Sequence, residues 1–179
     1  MRNVPNALTI ARLVAVPIFI VVLWNAPSGH SVAAALIFGV ASLTDWFDGY
    51  LARRYQVQSR FGRLADPLAD RLLIASAVII LYVHDRIPLL VPLLVIGRDV
   101  VLLSGLGLAA EKGYELSVIY LGKAATFVLM SALFFVMLTE PGTRWPDVLL
   151  YIGIGLSLAA GGVYIATVSR RLGKPSSSP

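Results

Sequence analysis

Residues 44–70 read TDWFDGYLARRYQVQSRFGRLADPLAD, and the placing of their carboxylates decides how the rest of the chain is read. Asp45 and Asp48 lie three residues apart and Asp66 and Asp70 four apart, so in helices each pair projects from one face. The stretch links the ends of two long apolar segments, and two facing pairs form a carboxylate cluster. Neighbouring negative charges repel one another and call for a cation. Oxygen donors without His or Cys point to a hard divalent ion, Mg²⁺ or Mn²⁺, with Asp45, Asp48, Asp66 and Asp70 as its metal ligands.

Outward from this stretch the chain is apolar. Its 179 residues are 58% hydrophobic and 14% charged, and the mean hydropathy is +0.80. That is too apolar for a soluble domain of this size, and the expected fold is an all-α integral membrane protein. A helix needs about 20 mostly apolar residues to cross the hydrocarbon core, which leaves room for roughly six transmembrane helices and no separate soluble domain. Residues 1–170 are expected to form a single membrane domain and residues 171–179 a disordered basic, Ser/Pro-rich tail. Cysteine is absent, so neither disulfides nor thiolate chemistry contributes. The net charge of +5 and pI near 9.8 do not imply nucleic acid, because in a membrane chain basic residues mark the cytoplasmic side.

Taken in order, residues 1–12 are expected to lie partly in the interface, and a first span runs to Trp24 with a kink at Pro17. Arg12 interrupts the early apolar run and NAPSGH after it offers no cleavage signal, so the segment is read as retained. Further spans are expected over Ser31–Ala52, Leu64–Val83, Leu89–Ala110, Ser117–Leu138 and Val148–Ser169, with a basic, non-spanning connector over Arg53–Arg63. His30 and His84 fall in turns and read as loop residues. Trp24, Trp46, Tyr82 and Trp145 fall near span ends, where aromatic side chains anchor in the interface. On one side fall Arg2, Arg53, Arg54, Arg60, Arg63, Lys112, Arg170, Arg171 and Lys174, with Arg71 and Lys123 in the opening turns of spans on that side, eleven in all, against Arg86 and Arg144 on the other. The richer side belongs in the cytoplasm, which puts both N- and C-termini inside and the aspartates at the cytoplasmic face of the cell membrane.

One aspartate at a span end means little, and Asp66 before Pro67 reads equally as an N-cap followed by proline in the first helical position. Four together are costly near a membrane and need a shared cation. Gly49 and Ala52 lie one turn from Asp45 and Asp48, and Gly62 one turn before Asp66, where small residues allow close approach of a ligand or of another helix. Arg53 completes the face four residues after Gly49, where it can serve a phosphate or snorkel to the surface. Arg98 and Lys123, placed inside spans, are candidate ligands for an acceptor's phosphate; the alternatives are an Arg98–carboxylate pair and a snorkelling Lys123. Asn6, Thr9 and Arg12 are assigned to the same cleft. A hard dication, arginines and a cleft at the membrane edge suggest phosphoryl-type transfer between a soluble and a lipidic substrate. A divalent-cation transporter is the reading from another class, disfavoured by the cluster's position at one membrane edge and the lack of an inverted hydropathy repeat.

Asp45, Asp48, Gly49, Ala52, Arg53, Gly62, Asp66 and Asp70 stand at the spacing of the CDP-alcohol phosphatidyltransferase signature, and VPNALTIAR near the start and LGKAATF at 121–127 also resemble elements of that family. The resemblance implies a six-helix, usually dimeric enzyme that takes CDP-diacylglycerol, passes its phosphatidyl group to an alcohol and releases CMP. It implies that Asp45, Asp48 and Asp66 hold one or two metals and the pyrophosphate, that Asp70 is a further ligand or the catalytic base, and that Asp48, Gly49, Ala52, Arg53 and Gly62 line the nucleotide site. Two acceptors are open, glycerol 3-phosphate and phosphatidylglycerol. VIGRDVVLL, with Asp99 after Arg98, and YLGKAATFVLM look more like the cardiolipin-forming branch, so phosphatidylglycerol is the expected acceptor and glycerol 3-phosphate the alternative.

Overall fold

The computed structural model describes residues 4–55, 60–111 and 120–172, without the side chains of 4–10, 45–55, 60–68, 103, 105–111 and 167–172. It contains six helices: α1 (Val4–Trp24), α2 (Val32–Tyr55), α3 (Arg60–Val83), α4 (Leu90–Glu111), α5 (Tyr120–Leu138) and α6 (Arg144–Leu172). No strand occurs among the described residues. At about 1.5 Å per residue, even the 19 residues of α5 approach the roughly 30 Å of a hydrocarbon core. Among the described residues, two helical segments, Tyr120–Leu138 and Arg144–Ala166, are long and apolar enough to cross a membrane by length and composition alone. Shorter apolar stretches, Ala11–Trp24 and Val32–Thr44, lie in the described parts of α1 and α2.

α1, α2, α3 and α6 extend beyond the expected spans, whereas the expected start of the fifth span, 117–119, lies outside the described residues. α1 begins at Val4 and continues through Pro17, so the interfacial segment and the first span are one helix. The basic connector is largely helical too: Arg53–Tyr55 belong to α2 and Arg60–Arg63 to α3, while residues 56–59 lie outside the described residues. Asp66 and Pro67 therefore stand inside α3, six and seven residues past its start, which rules out the N-cap reading of Asp66. α6 starts four residues earlier than expected, with Asp147 in its first turn, where a carboxylate complements the helix dipole. The tail, 173–179, lies outside the described residues.

Packing contacts order the helices in a closed ring: α1, α3, α4, α6, α5, α2 and back to α1. α2 and α3, which carry the acidic signature, touch each other at few points, and α1 packs against both. The core is drawn from helical stripes such as Leu73, Ala77 and Leu81 on α3 and Leu129, Leu133, Val136 and Met137 on α5, all at most 2% exposed. Between apolar helices in lipid, close packing replaces the hydrophobic drive, and small residues permit it. A Cβ on Gly153 of α6 would come within 3.0 Å of the backbone N and Cα of Leu129, so the α5–α6 approach requires glycine there. The outward faces are apolar as well, with Val40, Leu93, Phe127 and Val21 all at least 60% exposed, as expected of helices whose solvent is lipid.

The end of the ring away from the acidic signature is tied by polar contacts. Ser31 caps α2 through its hydroxyl to the Ala34 N–H at 3.1 Å, and its own N–H donates to the Met137 carbonyl at 2.9 Å. His30 meets that same carbonyl at 3.1 Å, and the His84 ring sits 6.0 Å from that of Trp24, so both histidines are turn residues. Arg86 donates to the carbonyls of Val136, Thr139 and Glu140 at 3.3–3.4 Å, placing a cation on the C-terminal end of α5. Trp24, Tyr82 and Trp145 are exposed near helix ends as expected of interfacial anchors; the side chain of Trp46 lies outside the described residues.

Candidate functional site

The charged residues inside the bundle gather towards the end of the ring where α2 stops and α3 starts. Asp45 and Asp48 belong to α2, and Asp66 and Asp70 to α3, so each pair keeps its spacing of three or four residues within one helix. Gly49, Ala52 and Arg53 follow on α2 and Gly62 precedes on α3. Of these eight, Asp70 is the one whose side chain is described; the others lie outside the described side chains. Asp70 is ten residues, about 15 Å, into α3.

Arg12 of α1 reaches Asp70 with Nη1 3.7 Å from Oδ1. Its side chain is 1% exposed, against 22% for Asp70. A guanidinium so far from water requires a carboxylate nearby, and the packing of α1 against α3 supplies one. The sequence places Arg12 in this cleft, and the structure brings it to the acidic signature.

A second group lies one residue further along α3. Arg71 pairs with Oδ1 of Asp99 on α4, and Arg98 donates to the same oxygen at 2.8 Å. The Arg98 stem runs towards α6, where a Cβ on Gly161 would lie 3.7 Å from its Cγ. Arg98 thus has the carboxylate partner that sequence reasoning offered as one alternative, and it keeps a buried Nε–H without a hydrogen-bond partner. Lys123 stands elsewhere, exposed in the opening turn of α5, with Nζ 5.6 Å from the centroid of the Tyr120 ring. Among the described residues α5 does not pack on α4, and the structure does not pair Lys123 with Arg98. Sequence reasoning counted Arg71 only as a positive-inside residue. The signal that could have found it is the presence of Arg98 and Asp99 deep in one span, since buried charges recruit partners from adjacent helices.

Among the described residues no three His, Cys, Asp or Glu side chains gather as a metal site. The donor chemistry nonetheless fits a hard divalent ion: two helical carboxylate pairs, oxygen only, carried by two helices that α1 joins.

An all-helical bundle with apolar outer faces, two helical aspartate pairs and arginines inside defines a membrane-held enzyme that handles phosphate. The chain belongs to the CDP-alcohol phosphatidyltransferase family, whose sequence model matches residues 2–159. It is accordingly a transferase of phospholipid biosynthesis, held in the membrane. Among its relatives is the CDP-diacylglycerol–glycerol-3-phosphate 3-phosphatidyltransferase of Rickettsia typhi, 36% identical over 172 residues that cover 92% of this chain and 96% of the relative. The enzymes of that name from Shigella flexneri serotype 5b and Escherichia coli K12 are each 36% identical over 162 residues, covering 88% of this chain and 86% of theirs.

Proposed function

We propose that the chain transfers the phosphatidyl group of CDP-diacylglycerol to glycerol 3-phosphate and releases CMP. The observation that carries this reading is the complete aspartate signature on α2 and α3 in a chain that aligns over about nine-tenths of its length with relatives named for that reaction. Phosphatidylglycerol, favoured by the Asp99 after Arg98, is set aside as the acceptor. The relatives are named for glycerol 3-phosphate, and the Asp99 carboxylate is engaged by Arg71 and Arg98, a pairing compatible with the phosphate of either acceptor.

The chain acts as a six-span protein with both termini in the cytoplasm of a plasma membrane, so that the soluble acceptor and the lipid donor meet at the cytoplasmic face. A homodimer is the expected assembly. Asp45, Asp48 and Asp66 would hold Mg²⁺ or Mn²⁺, with Asp70 contributing to the same site. When bound, the ion offsets the charge of the pyrophosphate and of the departing CMP. Gly49, Ala52 and Gly62 leave room for the nucleotide, and Arg53 meets its phosphate charge. Asp70 takes the proton of the acceptor hydroxyl as that oxygen attacks the phosphatidyl phosphorus. The bond between that phosphorus and the bridging oxygen breaks, and CMP carries away the electron pair. Arg12 keeps Asp70 oriented and compensates its charge before the proton arrives. Arg98 and Lys123 are the acceptor-phosphate candidates, and Arg98 has the better support because it lies inside the bundle beside α3.

The test is CMP release from CDP-diacylglycerol by purified protein with Mg²⁺ or Mn²⁺, offering glycerol 3-phosphate and phosphatidylglycerol in separate reactions. The expected result is CMP and phosphatidylglycerophosphate with glycerol 3-phosphate alone. Cardiolipin formed from phosphatidylglycerol would restore the other acceptor.

A further inference from the structure

Asp99 serves two guanidiniums through one oxygen, since Arg71 of α3 and Arg98 of α4 both meet its Oδ1. The Arg71, Arg98 and Asp99 side chains are 29%, 13% and 15% exposed, so the group is half-sheltered yet open to a soluble ligand. A guanidinium has five N–H donors, and a single carboxylate oxygen can engage few of the ten present. The Nε–H of Arg98 is buried without a hydrogen-bond partner. Two cations against one anion also leave a surplus of positive charge in a setting that tolerates it poorly. Unused donors and surplus charge both call for an oxyanion.

We infer that Asp99 is a positioning residue for the acceptor: it draws Arg71 and Arg98 together into a fork that receives the acceptor's phosphate. The inference rests on the proposed reading of the reaction and adds Arg71 and Asp99 to its machinery. Without Asp99 the two guanidiniums repel each other, so a ligand would have to assemble the fork at its own cost instead of finding it prepared. Arg71 follows Asp70 directly, with Cα atoms about 3.8 Å apart and side chains roughly 100° apart around α3. The fork is thus anchored on the residue next to the proposed base. Gly161 leaves α6 bare where the Arg98 stem crosses it.

The test is steady-state kinetics of the full chain in detergent micelles, varying glycerol 3-phosphate and CDP-diacylglycerol separately. Wild-type turnover of glycerol 3-phosphate comes first; its absence would end the proposed acceptor, and this inference with it. Given that turnover, Asp99→Asn is expected to raise the KM for glycerol 3-phosphate about tenfold or more with little change in the KM for CDP-diacylglycerol, and Asp99→Glu to recover most of the loss. Arg71→Gln is expected to reproduce the same selective rise. An unchanged or lowered KM for glycerol 3-phosphate in Asp99→Asn would overturn the inference, since a lowered value is what removing a merely repulsive charge produces. A parallel rise of both KM values with a lower Tm would overturn it in favour of a purely structural bridge. If Asp99→Asn does not fold, Arg71→Gln decides alone, and an unchanged KM there refutes the fork.

Discussion

Arg12 on α1 and Asp70 on α3 lie 3.7 Å apart across the helix pair that adjoins the acidic signature, with the arginine side chain almost wholly buried. α1 thereby becomes a wall of the site and not merely an anchor. Removing one partner of a pair with one side buried weakens the compensation of the other charge, at a cost of about 1–3 kcal/mol. Arg12→Gln is expected to lower thermal stability and to reduce turnover by about tenfold or more, with Arg12→Lys intermediate. The decisive measurement is a double-mutant cycle with Asp70→Asn. If the two residues act as a pair, the double variant falls little below Asp70→Asn alone. Fully additive losses would show that Arg12 serves something other than Asp70.

The division of labour among the aspartates is separable by binding. Asp70→Asn is expected to reduce turnover by about 10²–10⁴-fold, the usual contribution of a general base, while still binding CDP-diacylglycerol. Asp45→Asn is expected to lose donor binding along with turnover, because it removes a proposed metal ligand. Isothermal titration of detergent-solubilised protein with CDP-diacylglycerol in the presence of Mg²⁺ distinguishes the two. Equal loss of binding in both variants would make Asp70 a ligand of the same standing as Asp45.

The sequence carried the helical class and the membrane setting because hydropathy is a local property. It was less exact about where helices end: hydropathy marks where apolar residues stop, whereas backbone hydrogen bonding continues through Arg53–Tyr55 and Arg60–Arg63. The same difference moved Asp66 from a presumed cap to a helix interior. The aspartate pairs were legible because spacings of three and four residues are enough to place side chains on one face. The Arg71–Asp99 bridge was not, since nothing local in α3 states which helix lies beside it; that follows from the ring order α1, α3, α4, α6. Reading Asp99 as a marker of the acceptor missed that its carboxylate already bridges two arginines.

The proposed oxygen-only metal site predicts the effect of metal removal. Dialysis against a chelator is expected to abolish CMP release, and Mg²⁺ or Mn²⁺ to restore it, because small hard ions suit carboxylate oxygens. Loss of the metal is also expected to lower the Tm, as four carboxylates would be left to repel one another. Activity that survives exhaustive chelation would remove the metal from the reaction and leave the arginines to carry the phosphate charge.

The contact of α6 with α5 at Gly153 offers a stability test independent of the chemistry. Gly153 of α6 faces the backbone of Leu129 on α5, and a Cβ there would stand 3.0 Å from its N and Cα atoms, whereas Gly155 two residues on has open space around it. Backbone cannot yield as a flexible side chain can, so Gly153→Ala must push α5 and α6 apart, at a cost of about 1–3 kcal/mol. Gly155→Ala removes backbone freedom from a helix interior without a clash and is expected to be neutral or slightly stabilising. Thermal unfolding of the two variants in the same detergent compares them directly. A Gly153→Ala variant as stable as wild type would mean that α5 and α6 can separate without loss. Gly155→Ala, which displaces no neighbouring helix, should leave the KM for glycerol 3-phosphate unchanged.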